Sequence, residues 1–410
     1  MAFGDSPVDE PLRAAWKQFC KRLEEAGDKA FKDYNPPTPL HRADAFRFLT
    51  QNLGQAFDLA LETKNTRFPA LHAFCGPYVK LGGDAADFVY IQAWIDGQSV
   101  YRISGNRGTA RFINFTVQGP RPDIIPGTDS PSLHEPFGDI PEANLFGHQL
   151  KTNWDGSFEL YIGGPERGQN WLPTTAGSRK LFLRQGFDAW DERPARMRIE
   201  RVDMAEPRPL PTPDEFIEAM DWAGNFVTGV MRDWPDHPFE HNAPIVDVAH
   251  PNVFGEAPVD DKSDTKRGRA VAHMVWRLAP DEALILEFDS DDAFWMLSNN
   301  GSFFNSMDFL YRPVNYTPAR TKVDKDGKIR LILAHDDPGY HNWLDTSGFE
   351  LGNLTFRYLL GATAPPIATR LVKRSQLEGA LPADSARVTP EQRSAQMHAR
   401  FHGILQRYNL

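Results

Sequence analysis

The residues of this 410-residue sequence best suited to chemistry lie in three stretches. The first is His335-Asp336-Asp337-Pro338-Gly339-Tyr340-His341, which runs into Asn342-Trp343. His335 follows Ile329 to Ala334, a run with strand character, so an imidazole able to act as a catalytic base is expected at a strand end. The second stretch interleaves rings with amides, an acid and a phenol: Phe294-Trp295, Asn299-Asn300, Phe303-Phe304, Asp308-Phe309 and Tyr311-Arg312. A pocket for a flat apolar ligand uses that mixture, with rings as walls and a few polar groups to fix orientation. The third, His237-Pro238-Phe239-Glu240-His241, fits the H-x-x-E-H string in which two histidines ligate zinc and the glutamate is the base. That arrangement needs a helix, whereas Pro235 and Pro238 favour a loop, and His250 or Asp247 would have to complete the site.

Absences narrow the reaction. There is no G-x-S-x-G elbow, no phosphate-binding G-x-x-x-x-G-K-[ST] and no G-x-G-x-x-G after a strand, which disfavours serine hydrolase, nucleotide triphosphatase and Rossmann dehydrogenase chemistry. Cys20 and Cys75 are the only cysteines, too few for a disulfide framework or a thiolate zinc site. No cofactor is therefore expected, and general acid–base catalysis by His, Asp and Tyr remains. In that reading His335 or His273 is the base, Asp308 orients it, and Tyr311 or Asn300 donates a hydrogen bond to the developing charge. Trp295, Phe304 and Trp343 are the walls, with Asn342 and His341 also touching substrate. The expected function is a cofactor-independent lyase of catabolism acting on a bulky aromatic or lipophilic small molecule. One form would be retro-aldol release of formaldehyde from a lignin-like aryl dimer. The alternatives are a non-catalytic sugar- or lipid-binding protein built on the same rings, and a metal-dependent hydrolase at His237 and His241.

The elements that must position these groups come in two copies. Asp155-Gly156 runs on to Asn170-Trp171-Leu172 and Arg184, and Asp326-Gly327 runs on to Asn342-Trp343-Leu344 and Arg357. The Asp-to-Asn spacing is 15 residues in one copy and 16 in the other. Upstream, Tyr90 to Ile95 and Ser99 to Ser104 flank Asp96-Gly97, and His273 to Leu278 and Ala283 to Phe288 flank Ala279 to Glu282, so each copy is expected to open with a hairpin. Each copy is about 100 residues of strands, the size of one β-sandwich. The shared Asn and Trp read as scaffold, the Asn pinning a turn and the Trp filling a core. The segment from His335 to His341 replaces Gly163 to Gln169 of the first copy, and that divergence is where a site is expected.

The expected fold class is mainly β (α+β), with tandem sandwich-like modules and helices at the N-terminus, centre and C-terminus. The expected boundaries are a helical segment at 1–65, a first module at 66–206, a linker and helix at 207–235, a second module at 236–375 and a tail at 376–410. Leu12, Trp16, Phe19 and Leu23 make a helical stripe, Thr38-Pro39 opens a helix carrying Phe46, Leu49, Leu53 and Phe57, and Thr212-Pro213 opens one carrying Phe216, Met220, Val227 and Met231. Thr389-Pro390-Glu391-Gln392 caps a last helix whose Met397, Phe401, Leu405 and Tyr408 face the body or a second subunit. The Pro-punctuated insertion at 118–148 is a candidate lid.

A hydrophobic content of 41% is that of a globular protein, and a net charge of −10 without a basic patch beyond Lys266-Arg267-Gly268-Arg269 argues against nucleic acid. No run reaches the length needed to span a membrane, and Met1 to Leu12 lacks an apolar core, so a soluble cytoplasmic protein is expected. A homo-oligomer is left open.

Ala334-His335-x-Asp337-Pro338-Gly339-x-x-Asn342-Trp343-Leu344-Asp345-Thr346-x-Gly348, preceded by Trp276-Arg277-Leu278-x-Pro280-Asp281-Glu282-Ala283-Leu284, resembles the bacterial family known as domain of unknown function 1214. In the first copy Lys80, Asp84, Tyr90, Ile95-Asp96-Gly97, Tyr101-Arg102-Ile103 and Arg107-Gly108-Thr109 resemble its two-module members. The resemblance covers roughly residues 40 to 375 and implies a β-rich fold, while conferring no reaction. Relatives tend to carry further histidines around Ala272-His273-Met274 and Tyr311 to Tyr316, where this chain keeps only His273, which weakens a His-cluster metal site.

Overall fold

The protein is seen in a computed structural model that describes residues 4–120, 139–236, 238, 249–255, 269–359 and 364–410. The first module contains β2 (Phe88–Trp94), β3 (Tyr101–Asn106), β4 (Phe112–Gly119), β5 (Ile140–Phe146), β6 (Ser157–Ile162), β7 (Trp171–Leu172), β8 (Lys180–Gly186) and β9 (Arg196–Arg201), with β1 (His72–Ala73) at its edge. The second contains β10 (Arg269–Arg277), β11 (Glu282–Asp289), β12 (Phe294–Asn300), β13 (Asn315–Tyr316), β14 (Lys328–Ala334), β15 (Trp343–Asp345), β16 (Leu351–Leu359) and β17 (Ala368–Lys373). The sheet orders are β1-β2-β8-β4-β5 with β7-β6-β3-β9, and β10-β16-β12-β13 with β15-β14-β11-β17. Every strand from β2 to β9 thus has its counterpart eight strands later, and the tandem β-sandwich reading stands.

The expected hairpins are not hairpins. Tyr90 and Ser104 fall on β2 and β3, which lie in different sheets, and β10 and β11 are divided in the same way. Asp96 does make a tight turn, its backbone carbonyl accepting from Ser99 N at 2.9 Å. The turn, however, carries the chain from one sheet across to the other. A turn signal records that the chain reverses and leaves open which strand becomes the neighbour.

The duplicated phrase builds the same clamp twice. Asn342 Nδ2 donates to Lys322 O (2.8 Å) and Arg330 O (2.9 Å), and its Oδ1 accepts from Lys322 N (2.9 Å). Asn170 makes the matching bonds to Lys151 O (2.7 Å), Glu159 O (2.9 Å) and Lys151 N (2.8 Å). Each holds a loop against the strand that precedes a short parallel pairing, β6 with β7 and β14 with β15. Trp343 and Trp171 donate to Ala334 O and Gly163 O, both at 3.1 Å. The tryptophans do not fill the sandwich core. Leu172 and Leu344 do, and alternation sends Trp343 to the outer face with Tyr340, Leu377 and Leu381. Asn342→Ala is expected to cost about 1–3 kcal/mol, since it removes three hydrogen bonds to partly buried backbone groups; a shift in the urea midpoint measures it.

Helices α1 (Asp9–Asp28), α2 (Pro39–Phe57), α3 (Pro213–Asp236) and α4 (Pro390–Tyr408) begin where the sequence signals them. Thr38 caps α2 by accepting from His41 N, and Thr389 with Gln392 completes a capping box on α4. Phe19, Phe48, Phe226 and Val230 of the first three helices pack on Phe88, Tyr90, Phe294 and Met296, so the helical layer covers one sheet of each module. The buried stripes are narrower than the apolar periodicity implies: Trp16 is 55% exposed and Phe46 40%. On α4 the buried face is Arg393, Arg400, Gly403, Ile404 and Arg407, with Phe401, Leu405 and Tyr408 packed at its sides, so this helix docks on the body. Of the lid candidate, 139–148 includes β5 of the first sheet, and 121–138 lies outside the described residues.

Candidate functional site: a buried polar wall beneath the helices

Alternation along β10, β16 and β12 divides their side chains between two environments. Met274, Trp276, Trp295, Leu297, Leu354 and Phe356 enter the core between the sheets. The opposite parity, shared with Phe294 and Met296 against the helices, sets His273, Thr355 and Ser298 in one row and Asn353 with Asn300 in the next. Arg357 stands beside Met296 in the row before. All six polar residues are buried. His273 Nδ1 lies 3.2 Å from Thr355 Oγ1, and its ring meets Phe304 edge-on at 5.7 Å between centroids. Ser298 Oγ, Asn300 Oδ1, Asn353 Nδ2 and Arg357 Nη1 have no hydrogen-bond partner among the described residues. Buried polar atoms are nearly always paired, and each unpaired one costs on the order of 1–3 kcal/mol. Four such atoms lie on one face of the sheet formed by β10, β16 and β12.

The matching face of the first module is polar as well. Arg184 faces Tyr90 as Arg357 faces Val271, and this register equates Gln92 with His273 and Thr116 with Ser298. Gln92 is buried with both side-chain polar atoms unpartnered among the described residues, as is Asn114 Oδ1. The duplication therefore has an amide in one wall and an imidazole in the other.

A loop from the first module closes over the second wall. Asn300 Nδ2 donates to Asp84 O at 3.2 Å, Arg357 Nη2 donates to Gly83 O, and the Asp84 carboxylate accepts from Ser306 N at 2.8 Å and from Ser306 Oγ. Gly83 has φ +64° and its missing Cβ would collide with the Phe304 ring, so glycine is required there twice over. Burial raises the Asp84 carboxyl above its ordinary value, offset in part by Lys80 and Ser306. Lys80 is itself buried, with Nζ 3.5 Å from the centroid of the Phe309 ring, and burial lowers its pKa to about 8 against the attraction of Asp84 and Asp308. A lysine with a depressed folded pKa destabilises the fold at every pH below that value. The penalty, about 3 kcal/mol for a drop from 10.5 to 8, fades as pH rises toward 10.5. Lys80→Met is accordingly expected to stabilise the protein at pH 7 by about 1–3 kcal/mol, the loss of a partner for Asp84 absorbing the rest. Urea midpoints should show the gain at pH 7 and its disappearance near pH 10.5.

The residues singled out in the sequence do not converge on one site. His273, Asn300 and Phe304 meet on the wall. Trp295 cannot line the same pocket as Asn300, because it projects from the opposite face of β12 into the core against Phe288 and Phe356. His335 sits at the end of β14, with Nδ1 2.9 Å from Thr346 Oγ1 and Nε2 3.4 Å from Leu278 O. Among the described residues no hydrogen bond links Asp308 to a histidine; its Oδ1 accepts from Tyr311 N at 3.4 Å in a turn and its charge is felt by Lys80. Tyr311 is 60% exposed and packs on Phe401. Asn342 and Trp343 serve the clamp. His341 lines a separate cleft, Nδ1 2.8 Å from Gln396 Nε2, and burial lowers its pKa. His237, Glu240, His241 and Asp247 lie outside the described residues, among which no group of three or more His, Cys, Asp and Glu could hold a metal ion.

Two sets of buried residues escaped the reading of the sequence. Gln92 looked like an ordinary strand residue, and only its register with His273 gives it meaning. Arg393, Arg400 and Arg407 recur every seven residues, a spacing that places them on one face of α4 and that was available as a signal.

Fold and wall together define a tandem β-sandwich with a helical cover over one sheet of each module. The family described as "Protein of unknown function (DUF1214)" matches the chain twice, over residues 92–185 and 277–362, one match per module, as in a two-module protein of that family. An uncharacterized protein from Burkholderia cenocepacia has the same architecture, with 28% identity, a TM-score of 0.79, and coverage of 90% of this chain and 99% of its own. A protein from Vibrio parahaemolyticus aligns at 9% identity and a TM-score of 0.41, over 86% of this chain and 100% of its own. No functionally curated protein matches the chain. Among the described residues no helix is long and apolar enough to cross a membrane.

Proposed function

We propose that the chain is an enzyme that takes a bulky, largely aromatic small molecule against the polar wall of the second module and acts on it by general acid–base catalysis, without a cofactor. The observation that carries this reading is the patch of four unpartnered polar atoms, on Ser298, Asn300, Asn353 and Arg357, around the His273 imidazole. His273 is the base. Asn353 Nδ2 and Arg357 Nη1 are donors suited to steady an oxyanion, and Phe304 supplies an aromatic wall. The reaction that suits this set is carbon–carbon cleavage. The base takes the proton of a primary hydroxyl, the carbonyl of formaldehyde forms as the carbon–carbon bond breaks, and that bond's electron pair goes to the arylated carbon, which is protonated in turn.

The test is incubation of the purified protein with a panel of aryl dimers bearing a hydroxymethyl group, with assay of released formaldehyde and calorimetry on the same compounds. Release with turnover supports the lyase. Binding without release across the panel would replace it by a binding protein, and neither would end the reading.

A further inference from the structure

We propose that the cleft between Trp190, β13 and α4 is a second binding site, specific for a small molecule that carries a carboxylate or phosphate group. The cleft has a volume of about 240 Å³, and Trp190, Arg320, Lys322, His341, Gln396 and Arg400 are among its lining residues. None of these belongs to the polar wall, so the inference stands apart from the proposed function.

Charge carries the argument. Asp87 is buried beneath the cleft and ion-paired to both Arg320 Nη2 (2.6 Å) and Arg407 Nη1 (3.0 Å). Arg400, buried beside them, has only neutral oxygens as hydrogen-bond acceptors among the described residues: Phe309 O at 3.1 Å, Asn315 O at 3.2 Å and Asn315 Oδ1. Three guanidiniums thus share one carboxylate. They also share one ring, with Arg320, Arg407 and Arg400 at 4.0, 4.7 and 5.0 Å from the Trp190 centroid. Neighbouring acids are engaged elsewhere, Asp188 with Arg111 and Ala319 N, and Glu192 with Asp188 N. Burial lowers Arg400 to about 9, with Arg320 adding to the fall, and lowers Arg407 to about 10 against the attraction of Asp87.

The second observation is geometric. Arg320 lines the cleft, its side chain is 8% exposed, and its buried Nη1 has no partner among the described residues. A planar guanidinium with a free N–H beside a second one is suited to donate paired hydrogen bonds to an oxyanion. Lys322, an exposed lining residue, adds a further cation to Arg320 and Arg400 in the cleft.

Titration calorimetry with benzoate, phenyl phosphate and inorganic phosphate, at constant ionic strength set by chloride, tests the site on the full chain. The variants are Lys322→Glu and Ala399→Phe, both at exposed lining positions, so their unliganded melting temperatures should match the parent. Saturable binding of at least one probe, weakened about tenfold or more in each variant, is expected; tenfold corresponds to about 1.4 kcal/mol. Benzoate without phosphate points to a carboxylate ligand and the reverse to a phosphate ester. No saturable heat with any probe, or binding of unchanged strength in both variants, overturns the proposal.

Discussion

Replacing His273 with glutamine is expected to lower turnover by about 10²–10⁴-fold, the range for removal of a positioned general base. Stability should change little. The first module already carries Gln92 at the equivalent place, flanked by the same pattern of strands, so an amide in that row is compatible with the sandwich. Glutamine is also able to hydrogen-bond Thr355, whose Oγ1 lies 3.2 Å from the imidazole. The variant removes the proton acceptor and leaves the wall polar. A KM close to the parent with kcat lost places the residue in the chemical step. If kcat is retained and only the melting temperature falls, His273 is packing and the base lies elsewhere. The companion change Gln92→His asks whether the first wall has the same capacity, and a gain of turnover there would show that the duplication preserved a second site.

Asp87→Ala is expected to destabilise the protein by about 3–5 kcal/mol, because it strands buried cations rather than removing a balanced pair. Asp87 is wholly buried and binds Arg407, Arg320 and Asn315, the last at 2.6 Å, and so joins the first module to α4 and to β13. Burial by itself would push its carboxyl up; Arg320 and Arg407 outweigh burial and hold it below the ordinary value. A depressed folded pKa means that its contribution is complete above the unfolded carboxylate value, near 4, and is lost as pH falls through the folded value. The parent should therefore lose stability steeply below pH 4, and Asp87→Ala should be weak at neutral pH with a shallower acid dependence. Urea midpoints at pH 7, 4 and 3 check both. Equal midpoints at pH 7 would mean that the arginines find other partners.

Much of this architecture is written locally. Parity along each strand, the Asp-Gly turns, the two Asn-Trp clamps and the Thr-Pro starts of α2 and α4 depend on residues close in sequence, and their placement follows from periodicity and capping chemistry. The duplication added the eight-strand repeat. Local signals also misled where a partner had to be chosen, since Asp96-Gly97 turns the chain in the same way whether the next strand pairs with β2 or crosses to the opposite sheet.

The candidate sites belong to the other category. Asp84 meets Asn300 and Ser306 across separations of 216 and 222 residues, and Arg407 meets Asp87 across 320. No periodicity specifies such encounters; they follow from how the two sandwiches and the helices bury their remaining apolar faces together. The sequence by itself determined the modules, their strands and which side chains share a face, because backbone geometry fixes these over a few residues. Only the tertiary structure decided that the wall of β10, β16 and β12 and the arginine cleft gather buried polar atoms without partners among the described residues, because burial and charge balance are sums over distant parts of the chain.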